Sequence, residues 1–127
     1  MVAAGATAAP LVQDNFDRTT TAGLGTAAIG GTYVHSQTAG FRVDGSQAVI
    51  SLAASSSRSA LVGGSNARDV DATTSFGLSA LPVTGSVYFG QMLRTTTAGA
   101  FYSPRLRVMP GGVTYLGLRY VNSSGAS

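Results

Sequence analysis

The 127-residue chain has eight arginines, five aspartates and one histidine, with no lysine, glutamate, cysteine or tryptophan, for a net charge of +3. Acid–base catalysis needs a carboxylate or imidazole tuned toward neutral pH, disulfides and thiolate metal sites need cysteine, and duplex binding needs a clustered basic stripe. This inventory points away from an enzyme, a bound cofactor, a metal centre and nucleic acid. Ala, Gly, Ser and Thr make up about half of the residues. Such a chain buries little apolar area, and burial gives only ~25 cal/mol per Å². A marginal monomer that borrows stability from an oligomer or a larger assembly is expected.

In chain order, residues 1–10 are Ala-rich, with neither a basic start nor a Leu-rich core, and read as a flexible arm or linker rather than a signal peptide. No stretch reaches the ~20 apolar residues of a membrane helix. From residue 11 onward helical spacing is absent. Turn clusters at Gly30-Gly31, Asp44-Gly45-Ser46, Ser55-Ser56-Ser57, Gly63-Gly64, Thr84-Gly85 and Pro110-Gly111-Gly112 fall at the spacing of an all-β domain. Strands are predicted at 11–16, 32–36, 40–44, 47–53, 58–62, 69–79, 86–95, 100–109 and 113–121. Residues 122–127 read as a flexible tail. The clearest alternation sets Val70, Ala72, Thr74, Phe76 and Leu78 against Asp69, Asp71, Thr73, Ser75 and Gly77, as on an antiparallel strand with one wet face. Segment 86–95 is apolar on both faces, with Tyr88 and Met92 on one and Val87, Phe89 and Leu93 on the other. That pattern fits a central strand, or an outer face that meets another subunit.

The last hairpin fixes its own register. A two-residue turn at Pro110-Gly111 would mix Leu116 and Leu118 with Arg105 and Arg107. A three-residue loop instead pairs Met109 with Val113 and gathers Tyr102, Leu106, Val108, Leu116, Leu118 and Tyr120 on one face. A one-residue slip flips every side chain, so burial selects the three-residue loop, whose last glycine suits a left-handed position. Leu116 and Leu118 are then expected to turn inward. The opposite face collects Arg105, Arg107, Tyr115 and Arg119, with Arg107 opposite Tyr115 and Arg119 beside Ser103. These four are the candidate binding residues. Arginine and tyrosine are enriched at interface hot spots, and guanidinium forks suit carboxylates and phosphates. Solvated arginines stacked over Tyr115 are the plainer alternative.

Other constellations are thinner. Asp69-x-Asp71 and Asp14-x-x-Asp17 each offer carboxylates to a hard cation but lack further oxygen ligands, and Arg68 beside the first pair favours a local ion pair. His35 has no Cys, Glu or second His to complete a metal site. No Gly-x-Ser-x-Gly elbow occurs, and two arginine-adjacent aspartates do not make a glycosidase pair. Asn122-Ser-Ser is a formal sequon in a Ser-rich tail.

The series Asp14-Asn-Phe-Asp-Arg18-Thr-Thr, Gly23-Leu-Gly25-Thr-Ala and Gly30-Gly31-Thr-Tyr33 resembles the concanavalin/laminin-G-like β-sandwich modules of actinobacterial surface proteins and actinobacteriophage minor tail proteins. Arg58-Ser-Ala-Leu-Val62, Arg68-Asp-Val-Asp-Ala72 and Arg105-Leu-Arg-Val-Met-Pro-Gly-Gly-Val113 are similar too, so the likeness runs from 14 to about 121. Leu24 and Tyr33 stand where that pattern has tryptophan, which removes the indoles that would stack on sugar. The resemblance implies an all-β, antiparallel jelly-roll-like sandwich over 11–121, flanked by the two arms. It further implies a non-catalytic structural or adhesive role at a virion surface, as a capsid decoration or minor tail protein, docking to copies of itself or to other virion proteins. A shortened sandwich would leave open edges for such neighbours to pair. The alternative it implies is a glycan-binding module of a secreted actinobacterial protein, extracellular or at the cell surface, with a cell-surface glycan as partner.

Overall fold

The computed structural model describes residues 8–64 and 67–127. It is all-β, with three antiparallel sheets among the described residues, and the chain divides into two compact units, Met1–Asn66 and Ala67–Ser127.

In the first unit, β1 (Thr19–Thr20), β3 (Phe41–Asp44) and β4 (Ala48–Ile50) form one sheet in the order β1-β3-β4, and β2 (Val34–His35) pairs with β5 (Ala60–Leu61). The β3–β4 hairpin turns at Gly45, whose φ of 102° is open to glycine. The Asp44 carboxylate caps the turn by accepting the backbone N–H groups of Ser46 and Gln47. Along β3, Phe41 and Val43 point inward and Arg42 and Asp44 outward, the period-2 pattern of a half-buried strand. Phe41, Val43 and Leu24 form the core, with Phe16, Tyr33, Ala48 and Ala60 packed against it. Of the strand expected at 11–16, only the bridge Gln13↔Ile29 forms.

In the second unit, β6 (Val87–Gly90), β7 (Phe101–Val108) and β8 (Thr114–Val121) form a sheet with β7 central. The three-residue loop is present: the Met109 N–H donates to the Val113 carbonyl at 2.8 Å, and Gly111 and Gly112 take φ of 77° and 83°. Arg107 lies opposite Tyr115 and Leu106 opposite Leu116, as the sequence implied.

Two expectations fail in this unit. Residues 69–79 make no strand. Alternation sets which side chains share a side, but a strand also needs a neighbouring edge, and this segment instead reaches the sheet through Phe76, whose ring stacks 4.0 Å from that of Phe89 at 10°. In addition, Leu116 and Leu118 are not inward: they are 77% and 79% exposed. They share the apolar face as expected, yet nothing lies over that part of it.

Pro104 sits in the middle of β7. Leu93 and Tyr102 exchange two backbone hydrogen bonds, of 2.8 and 3.0 Å, while the Gln91 N–H reaches the Pro104 carbonyl at 3.3 Å. Even-numbered residues of β7 therefore address β6, and Pro104 brings no donor to that side. The β6 ladder ends at Gly90, short of the 86–95 span expected.

Candidate docking surface on the second sheet

Arg105 and Arg107 project from alternate positions of β7 onto the face where β6 places Tyr88, directly opposite Arg107. The Arg105 guanidinium lies 4.7 Å and that of Arg107 5.8 Å from the Tyr88 ring centroid, inside cation–π range. The partner tyrosine expected for Arg107 was Tyr115. The guanidinium instead leans to β6, held there because its Nε–H donates to Ser86 Oγ at 2.9 Å. With Tyr115, Leu116 and Gly117, these side chains line a groove of about 170 Å³. Among the described residues the single ion pair is Arg18–Asp14, so both guanidinium groups in the groove lack a carboxylate.

Arg119 stands opposite Ser103, as expected, but it is half-buried rather than open, and its Nε is buried without a hydrogen-bond partner. Ser103 is itself buried. Its hydroxyl lies 2.6 Å from where a side chain on Gly90 would begin, so only glycine fits there. Of the four candidate residues, the sheet thus joins Arg105, Arg107 and Tyr115 in one groove and sets Arg119 apart. Tyr88 is the member that sequence reasoning missed. Parity separates Tyr88 from Val87 and Phe89, but its place on the arginine side required the β6–β7 register.

The reverse face of the sheet is apolar, covered by Phe76 at Phe89 and open along β8. Tyr102 and Tyr120 rings meet at 4.9 Å, and Leu116 and Leu118 stand beside them on the same face. Asp69 and Asp71 line a separate cavity of about 400 Å³ with Arg68, Arg94 and Tyr102. No group of three or more metal-ligating side chains occurs among the described residues.

The first unit contains a second constellation. The Arg18 guanidinium forks onto Asp14, both N···O distances being 2.7 Å, and its Nε–H donates to the Leu24 carbonyl at 2.8 Å. Asp14 also accepts the Phe16 N–H at 3.1 Å, and Phe16 itself takes a positive φ of 59°. Arg18 holds the Asp14 carboxyl below its ordinary value, and Asp14 raises the Arg18 guanidinium. His35 accepts the Leu24 N–H on Nε2 at 2.9 Å and meets Phe41 edge-on. These groups bond to one another and to backbone, which is framework chemistry. Leu24, at the position where the resembled pattern has tryptophan, is in the core. Asp14 is committed to Arg18, and Asp17 accepts from Asn15, so the Asp14-x-x-Asp17 pair does not converge on a cation.

Burial, and then the neighbouring Asp14 carboxylate, push the Tyr33 phenol from 10.0 up to about 12. A raised value means that the unfolded chain ionises first, so stability is full below pH 10 and falls as pH rises toward 12. Thermal melts at pH 9 and pH 11.5 should show an alkaline loss that shrinks in Tyr33→Phe. An unchanged loss would remove Tyr33 as its source.

No family model, no curated protein and no solved structure matches the chain.

Proposed function

We propose that this protein is a non-catalytic docking module, built on a jelly-roll-like, concanavalin/laminin-G-like plan, that works at a virion surface by protein–protein contact. The observation that supports it most is the open apolar stretch along β8, where Leu116 and Leu118 are 77% and 79% exposed.

On the opposite face, the unneutralised Arg105–Arg107 groove gives a neighbour's acidic side chain a place to bind. The groove is smaller than the ~300–1,000 Å³ of ordinary ligand pockets, a size that suits a single side chain of a neighbour. The test is binding of the purified chain to capsid and tail proteins encoded beside it, with a glycan array in parallel. Arg105→Ala/Arg107→Ala is expected to weaken protein binding by about tenfold or more, since each charged hydrogen bond contributes ~1.5–3 kcal/mol. Specific sugar binding that is lost in Tyr115→Ala, with no protein partner found, would replace this reading by the glycan-binding one.

A further inference from the structure

β8 is the outermost strand of its sheet, eight residues long, with every residue from Thr114 to Leu118 exposed. Its register shows which backbone groups are free. The Met109–Val113 hydrogen bond places odd-numbered residues of β7 and β8 toward each other. Hydrogen bonding alternates along an antiparallel strand, so Thr114, Leu116, Leu118 and Tyr120 direct their N–H and C=O groups outward. No proline, bulge or lysine blunts this edge, and such an edge is a template for another strand. The same four residues bear the open face described above, so one partner strand would satisfy the backbone and cover the leucines together.

We propose that the occupant is a second copy of this chain, joined β8 to β8 antiparallel about a two-fold axis at Gly117, so that two three-stranded sheets become one of six. This rests on the docking reading above and names the partner. In that register Leu116 pairs with Leu118 of the other copy, and Tyr120 with Thr114, all in hydrogen-bonded positions on the apolar face. On the opposite face Tyr115 meets Arg119, a favourable cation–aromatic pair, and the two Arg119 side chains stay apart. A shift of the axis to Leu118 would set Arg119 against Gly117 and lose that pairing. Gly117 lies on the axis in a non-hydrogen-bonded pair, where Cα atoms approach to ~4.5 Å; a side chain there meets nothing within 4 Å in the single chain. A closed two-fold contact uses both edges once and ends the assembly.

The experiment is sedimentation and oxidative cross-linking of the full chain. The native protein is expected to sediment as a dimer at micromolar concentration. Leu116→Lys/Leu118→Lys, with an unchanged circular dichroism spectrum, is expected to sediment as a monomer. Because the chain has no cysteine, Gly117→Cys gives a second readout that needs no disruption: its Cα separation suits a disulfide, and it should form a covalent dimer at least tenfold faster than Thr97→Cys in the 96–100 turn. A native monomer, a dimer that survives the double lysine substitution, or equal cross-linking of the two cysteine variants would each overturn the pairing. A monomer that still binds a virion protein would leave the docking reading standing; one that binds nothing would remove both.

Discussion

Phe41→Ala is expected to cost about 3–5 kcal/mol of stability, the range for truncating a buried phenylalanine. Phe41 is 1% exposed and, with Val43, is one of the two large side chains fully enclosed among the described residues. It also meets the His35 ring at 4.9 Å, so alanine would leave a void beside a histidine whose Nε2 holds the Leu24 N–H. A unit of about 60 residues has roughly 3–9 kcal/mol in total at ~0.05–0.15 kcal/mol per residue. The variant should therefore lose at least about a third of the first unit's stability. Urea titration followed by circular dichroism measures this, and a loss below ~1 kcal/mol would show that Leu24, Phe41 and Val43 are not the core.

Arg18→Ala is expected to cost about 2–3 kcal/mol, the scale of hydrogen bonds to charged groups. The substitution removes a two-pronged contact with Asp14 and the bond to the Leu24 carbonyl in one step. It also leaves a nearly enclosed carboxylate with only the Phe16 N–H and the Tyr33 phenol beside it. For a unit of this size the melting temperature should fall by roughly 10–20 °C. Lysine should restore less than half of it, because a point charge cannot fork across both carboxylate oxygens. The acid limb of stability checks the same pair. Arg18 holds the Asp14 carboxyl below 3.8, so its contribution is present above that value and is lost as pH falls beneath it. In the variant, acid unfolding should begin at higher pH. Full rescue by lysine, or an unshifted acid limb, would mean that the guanidinium is not what fixes this turn.

How much of this could be read in the sequence follows from what each signal encodes. The β7–β8 hairpin was legible because Pro110-Gly111-Gly112 and the leucine–arginine alternation agree on one register. The inward turn of Leu116 and Leu118 was not, because alternation says which side chains share a face and is silent on what covers it. Residues 69–79 show the same limit: Val70, Phe76 and Leu78 repeat with a strand's period, yet pairing also depends on an available edge. The Asp14–Arg18 fork escaped because its spacing of four resembles a helical pair, whereas here it spans a turn with a left-handed Phe16. Arg105, Arg107 and Tyr115 were placed together by parity alone, but Tyr88 needed the β6–β7 register, which no turn between Gly90 and Phe101 specifies.

Pro104 gives the second sheet an unequal grip on its two outer strands. With no donor at its centre, β7 holds β6 through an interrupted ladder, while the β8 side is zipped along its full length. Opening fluctuations of this unit should accordingly start by peeling β6, with the Gly90–Leu93 amides exchanging with solvent first. The β7–β8 hairpin would persist as the slow-exchanging remnant, keeping its outer edge presented even when the rest of the sheet has loosened.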